Sequence, residues 1–383
     1  MKKIQLWLQK PITAIVLSII IGFLIGAVIL LLAGFDPLEC YQALIAGIFS
    51  KPKYISQVII KSTPLILTGL AVAFAFKTGL FNIGAEGQYI IGTIVAVLVG
   101  YLLNLPPVVH FFVVVVVAML AAGLWGGVIG FLKAKFGINE VITSIMFNWV
   151  AFYLNNYMVS LSWLKKPGAD SSFPIKESAW DVVLNTYKTS PEGQEKLISS
   201  HPFFSEVLLK TDVNYGILIA IVVAILVWFL LKYTKKGFEF RAVGLNKNAA
   251  EFVGMNINKN IMLSMFISGA IAGLAGALQI TGIMPHRIGL LAAQEGYGFD
   301  GISVALIANA SPIGCIFSGL FFGALKYGSG TIQSRIGAPS EIINIVIGVI
   351  IFMIAMKSIF KMISGYLAKQ GKMKMISVDR IKK

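Results

Sequence analysis

Ten apolar segments limit what this chain can become: residues 11–34, 55–76, 88–105, 107–132, 139–164, 214–231, 260–284, 301–310, 312–326 and 341–357. A helix needs about 20 apolar residues to cross hydrocarbon. Most of the segments approach that length, and 301–310 is too short to cross alone in regular geometry. Lipid has no partners for free backbone amides, so runs of this length must be helical. Of the 383 residues, 57% are hydrophobic and only 13% charged, too little polar surface for a soluble chain of this size. The expectation is an all-α polytopic membrane protein with about ten transmembrane helices in one transmembrane domain over 1–383. Its parts are a first half (11–164), an extracellular loop (165–213), a helix with a cytoplasmic loop (214–258), a second half (259–360) and a basic cytoplasmic tail (361–383).

Charge orients these spans. The opening MKKIQLWLQK and the run to Leu32 exceed a signal core and lack a small-x-small cleavage site, which predicts a retained first helix. Ten spans put both termini on one side. The segments assigned to the cytoplasm then hold 20 of the 32 Lys and Arg, while the 165–213 loop has six Lys against seven acids. This obeys the positive-inside rule and predicts a multi-pass protein of the bacterial cytoplasmic membrane with both termini inside. The net charge of +15 then reflects orientation and contact with membrane lipid, not nucleic-acid binding. Cys40 and Cys315 give neither a metal spacing nor a disulfide framework. His110, His201 and His286 each lie near an outer boundary without a second ligand at helical spacing.

Each half contains a long apolar helix followed by a Gly-rich polar interruption. The first is GLFNIGAEG (79–87); the second is GYGFDGIS (296–303), followed by ALIANASPIG (305–314). Paired interruptions after helices of opposed direction suggest an inverted repeat and point toward a solute path. Gly123, Gly126, Gly127 and Gly130, and likewise Gly269, Gly273 and Gly276, form small-residue faces suited to close helix packing. The 165–213 loop has helix-like pieces near 177–188 and 192–200 and is longer than a connection requires. It is either a docking surface for a substrate-delivering protein or surface decoration.

The block KYTKKGFEFRAVGLNKNAAEFVGMNINK (232–259) sets six bases against two acids between apolar runs, with a short amphipathic helix from Asn248 to Val253 closed by Gly254. Such a block offers a handle to a soluble partner. No G-x-x-x-x-G-K-S/T is present, so the chain has no phosphate-cradling loop of that type. Ionisable groups within the spans are few, with Glu86 and Asp300 in the interruptions and Lys61 near an outer end. An ion-driven carrier should bury more of them. An intramembrane enzyme would need clustered Asp or His at a membrane face, and the sequence has none.

TGLFNIGAEGQYIIG (78–92), RAVGLNKNAAEFVGMN (241–256) and GYGFDGISVAL (296–306) resemble permease subunits of ATP-binding-cassette importers. The resemblance is to the nucleoside and simple-sugar branch, related to ribose and branched-chain amino-acid permeases, and covers about residues 10–360. It departs in ALIANASPIG, where the family more often has Gly near Ala308 and Asn309 and a plain Asn-Pro. The resemblance implies a type II-like permease core of two subunits, the second a paralogue. It also implies two partner ATPase subunits that bind ATP and Mg, and an extracellular substrate-binding lipoprotein. No cofactor is expected in this chain and it is not itself an enzyme.

On this resemblance the block around 244–254 is the coupling helix. Gly244 and Gly254 would break the helix at its ends, Ala249 and Ala250 would give a close-packing face, and Lys247 and Glu251 would pair at i,i+4 beside Asn248. An ordinary amphipathic connection is the alternative. For the solute path, Asn82, Glu86 and Gln88 offer polar contacts and Phe81 a stacking face. Helix capping by Asn82 and Glu86 is the competing explanation. Asp300 has the same ambiguity, with Phe299 as a second stacking candidate. Asn148 and Trp149 are expected to face the bundle interior, where Asn148 is either a path residue or interhelical glue. The expected solute is a nucleoside, of purine type by preference; simple sugars are the alternative, and an ion-coupled carrier a more distant one.

Overall fold

A computed structural model describes residues 11–199 and 202–356, so the basic N-terminal decapeptide, His201 and the C-terminal tail fall outside the described residues. The helices are α1 (Pro11–Leu32), α2 (Pro37–Phe49), α3 (Pro52–Lys77), α4 (Ala85–Leu102), α5 (Pro107–Phe136) and α6 (Glu140–Ser160). The loop beyond α6 carries a 3₁₀ turn (Glu177–Ala179), α7 (Asn185–Thr189), α8 (Pro191–Ser199) and α9 (Pro202–Lys210). Then follow α10 (Gly216–Tyr233), α11 (Lys235–Leu245), α12 (Lys247–Phe252), α13 (Ile257–Gly282), α14 (Tyr297–Ile307), α15 (Pro312–Ile336) and α16 (Ser340–Ala355).

Local chemistry sets many of these boundaries. Seven helices start on proline, whose missing N–H is not needed in a first turn. Side chains of Asn139, Thr234, Asn246 and Asn256 accept from first-turn amides of α6, α11, α12 and α13. Gly137 and Gly337 follow α5 and α15 in the left-handed region that ends a helix.

Each of the ten expected apolar segments overlaps a helix. Among the described residues, α3, α4, α5, α10 and α13 are long and apolar enough to cross a membrane. α14 and α15 qualify only together, bent by 120° at residues 308–311, so the short 301–310 segment is one limb of a broken span. α6 fails the same test, and Asn148, Asn155 and Asn156 are among the polar residues it carries. This is an integral membrane protein.

The described residues form two compact units, one from residues up to Gly47 together with those from Gly328 onward, the other from Ile48 to Tyr327. In the first, Gly22 lies against the backbone of Ile350, and Gly26 against Val346 and Tyr41. The Tyr41 hydroxyl donates to the Phe23 carbonyl at 2.6 Å, closing α1 on α2. The second unit is organised around α3 and α13. The most apolar window of α3 is 89% buried, against 33% for α5 and 28% for α10, so α3 is the central helix and the other two have lipid-facing surfaces. The small-residue faces of α5 and α13 meet: a methyl on Gly126 would fall 2.5 Å from the Met265 carbonyl oxygen. In lipid, such close backbone approach supplies the packing that hydrophobic burial cannot.

The long loop is stitched onto the connection between α13 and α14. Asp181 donates to the Thr281 carbonyl, Ile175 to His286 and Ser172 to Ile288, all at 2.9–3.1 Å. From α6, Asn155 donates to the Gly289 carbonyl at 2.9 Å, and Asn156 exchanges two bonds with Leu291. Much of the loop therefore clamps the connection that leads into α14.

Candidate functional site

The two Gly-rich interruptions come together in the second unit. α3 ends at Lys77 and the chain doubles back through Gly79, at φ +73°, to start α4 at Ala85. Along this return, the Asn82 side-chain amide donates to Gln88 Oε1 at 2.8 Å and to Ser268 Oγ at 2.7 Å. Gln88 returns a bond to Asn82 Oδ1 at 3.2 Å, and Ser268 donates to the Ala71 carbonyl at 2.7 Å. One amide pair thus joins the turn to both α3 and α13.

The starts of both half-helices carry amides without intrahelical partners, and remote side chains satisfy them. At the start of α4, the Gly87 amide donates to Asn148 Oδ1 at 2.8 Å, while Asn148 Nδ2 donates to the Ile83 carbonyl at 3.1 Å. At the start of α14, the amides of Gly296 and Gly298 donate to Glu86 Oε1 and Oε2 at 2.7 and 2.6 Å. A carboxylate from the first interruption therefore caps the second, where the helix dipole favours negative charge. Gly298 is required here, because a Cβ at that position would collide with the Glu86 backbone.

This geometry corrects part of the sequence reading. Asn82, Glu86, Gln88 and Asn148 are all buried, Asn82 paired with Gln88, Glu86 with the Gly296 and Gly298 amides, and Asn148 with Gly87 and Ile83, so each has a structural partner at the junction. Asn82 is not the α4 cap; Gly84 holds that position. Trp149 does not face the interior: it is 47% exposed on the outer face of α6, against Phe152 and Tyr153. Phe81 is half-buried and stacks on Phe76 at 5.1 Å.

On the accessible side of the junction, Asp300 in the first turn of α14 pairs with Lys326 on α15. Lys326 Nζ also sits 5.4 Å above the Tyr297 ring. Phe299 is 38% exposed. Glu295, also exposed, accepts from the otherwise buried Tyr89 hydroxyl at 3.2 Å. Sequence reasoning missed Glu295, Tyr89, Tyr297 and Lys326. The available signal for Lys326 was a lone cation ending the apolar 312–326 run. A cavity of about 660 Å³ between α5 and α13 lies elsewhere, lined largely by apolar residues such as Leu124, Phe131 and Phe266.

The 244–254 segment forms a polar tip. α12 covers Lys247–Phe252, close to the expected helix, and ends at Gly254 with φ +80°. Gly244 does not break a helix; it lies within α11 and touches the Lys77–Gly79 backbone, leaving no room for a Cβ. Ala250 is buried within the chain, so it is not a contact face for another protein. Among the described residues, Lys247 and Glu251 form no ion pair. Asn248, Ala249 and Glu251 are exposed, and beside them are Leu245 (88%), Phe252 (93%) and Val253 (67%). Those three apolar side chains were missed because an amphipathic pattern alone cannot tell an unpartnered face from a buried one.

Within the 165–213 loop, the Asp181 carboxylate is buried with no hydrogen-bond partner on either oxygen among the described residues, and burial pushes its pKa up to about 7. His286 stacks on Trp180 at 4.2 Å, and burial pushes its imidazole down.

Residues 54–355 match the family model described as the branched-chain amino acid transport system/permease component. The chain is 38% identical over 355 residues to the guanosine ABC transporter permease protein NupP of Bacillus subtilis, covering 93% of this chain and 96% of that one. It is 33% identical to the nucleoside ABC transporter permease protein NupB of Lactococcus lactis, covering 90% and 91%. It is also 30% identical to a glucose ABC transporter permease of Haloferax volcanii, covering 90% and 87%. No solved structure matches.

Proposed function

The chain belongs to the family of branched-chain amino acid transport system permease components, and on that premise we propose that it is the permease subunit of an ATP-binding-cassette importer for nucleosides, purine types foremost. The observation that carries the solute assignment is the 38% identity, over nearly the whole of both chains, to a guanosine permease. A simple-sugar solute is the second reading, supported by the glucose permease relative.

In this reading ATP and Mg are held by a partner ATPase, a second permease subunit completes the pathway, and a lipoprotein outside the cell delivers the solute. The 244–254 tip and both termini face the cytoplasm, and the 165–213 loop faces outward. The exposed Leu245, Phe252 and Val253 beside Ala249 and the polar Asn248 and Glu251 supply an apolar anchor in a wet rim, as a docking surface requires. Gly244, pressed on the end of α3, carries displacement of that tip to the turn that starts α4. The Glu86 cap joins α4 to α14, so the half-helices flanking the path move together. Alternating access then consists of rocking around this junction, powered by nucleotide binding and release in the partner.

The test is uptake of labelled guanosine, adenosine and ribose by the reconstituted complex, with and without Phe252→Asp in this chain. Nucleoside uptake driven by ATP, and lost with its ATPase stimulation in the variant, is the expected result. Saturable uptake of ribose alone would sink the nucleoside assignment. Concentrative uptake by this chain without partners would sink the importer reading altogether.

A further inference from the structure

The accessible side of the junction holds charges at a depth where lipid cannot be their solvent. Thr68 Oγ1 donates to the Tyr297 carbonyl at 2.9 Å, which fixes the start of α14 against α3. Thr68 precedes Lys77, the last residue of α3, by nine positions, which is about 14 Å along the helix, and the other end is about 24 Å away. Glu295, two residues before Tyr297, is exposed at this level, and so is Lys326. Ionisable side chains at this level of a spanning helix face a water-filled space or another protein rather than acyl chains.

The groups form a recognisable set. The Glu295 carboxylate takes a single long bond, from Tyr89 at 3.2 Å, and so keeps acceptor capacity directed to the accessible side. Asp300 and Lys326 neutralise each other, leaving the region's negative charge on Glu295 and on Glu86, whose oxygens the Gly296 and Gly298 amides already occupy. Phe299, four residues beyond Glu295 in the first turn of α14, presents an exposed ring, and Tyr89, which bonds Glu295, lies 5.2 Å from Tyr297 between ring centres. Carboxylates pair best with two adjacent donors, and an exposed ring takes a flat partner.

We propose that Glu295, with Phe299 and the Asp300–Lys326 pair beside it, is a solute-recognition site for a neutral molecule presenting two adjacent N–H or O–H donors next to a flat ring. The inference deepens the nucleoside reading and rests on it for the identity of the solute. Guanosine has two such donor pairs, the ribose 2′,3′-diol and the N1–H with the 2-amino group of guanine; other nucleosides share the first. Tyr89 is a positioning residue that holds the carboxylate.

The test compares wild type, Glu295→Gln, Glu295→Asp and Tyr89→Phe in the full complex with its ATPase, second permease and binding protein. Uptake of guanosine, inosine and 2′,3′-dideoxyguanosine is measured at saturating binding protein, so differences among variants belong to this chain. Glu295→Gln should raise the guanosine KM roughly tenfold, as for loss of one charged hydrogen bond. It should also collapse the preference for guanosine over whichever analogue lacks the recognised donors: inosine if the base edge is read, the dideoxynucleoside if the diol is. Tyr89→Phe, which retains the carboxylate but removes its anchor, should raise the guanosine KM less than Glu295→Gln and keep that preference, and Glu295→Asp should restore part of it if Glu295→Gln fails to assemble. An unchanged KM and preference in Glu295→Gln, or loss of assembly in every Glu295 variant, would overturn the proposal and assign Glu295 to a subunit contact. If wild type imports ribose and no nucleoside, the nucleoside reading fails separately, and ribose against 2-deoxyribose decides the role of Glu295.

Discussion

Glu86→Gln is the sharpest perturbation of this architecture. The carboxylate accepts the Gly296 and Gly298 amides at 2.7 and 2.6 Å, and Glu86 is fully buried. Glutamine is nearly isosteric but has one acceptor oxygen, so its amide group must point at one of the two N–H donors, of which Gly298 is buried and Gly296 partly so. The loss of a charged hydrogen bond, together with the amide left without an acceptor, comes to roughly 3 kcal/mol. At about 1.4 kcal/mol per decade, that is an increase of about a hundredfold in local opening at the start of α14. Amide hydrogen exchange of residues 295–300 in the purified protein reads this directly. Glu86→Asp keeps the charge but is one methylene shorter and cannot reach both amides, so it should lose protection to a lesser extent. Wild-type exchange at Gly296 and Gly298 in Glu86→Gln would refute the cap and, with it, the coupling of α4 to α14.

Three further changes test other parts of the molecule. Asn309 and Ala310 both sit in the left-handed region, at φ +54° and +51°, at the bend between α14 and α15. Ala310→Gly should stabilise the protein by about 0.5–1 kcal/mol in chemical unfolding, and Asn309→Gly by less, since Asn tolerates that region; a destabilised Ala310→Gly would contradict the bend geometry. The Asp181 pKa, raised to about 7, means that the folded loop binds a proton the unfolded one releases. Its stability is therefore greatest below the ordinary carboxylate range and falls as pH rises through about 7, by a few kcal/mol at most. Asp181→Asn should remove that fall in exchange protection of residues 281–290 between pH 5 and 9, and an unchanged profile would locate the titration elsewhere. Gly244→Ala forces a methyl into the Lys77 carbonyl and should separate the tip from the α3 end. We expect preserved ATPase binding with lost substrate stimulation, and full stimulation would show that motion reaches the path by another route.

What the linear pattern carried was whatever depends on the solvent and on near neighbours. Apolar run length placed all ten segments on helices because backbone amides in lipid must be satisfied within the segment. Proline, glycine and asparagine act over a turn and fix many helix ends, yet Asn82 and Gly244 did not take the end positions expected of them. The junction was legible only as two suspicious interruptions. That Glu86 caps a helix 210 residues away, that Asn148 answers Gly87, and that Ala250 turns inward while Phe252 turns out depend on which surfaces meet. A polar residue in an apolar segment has the same composition whether it lines a path or satisfies an orphan amide. Only its partner in space separates the two, and partners at that separation are brought together by packing rather than by any local preference of the chain.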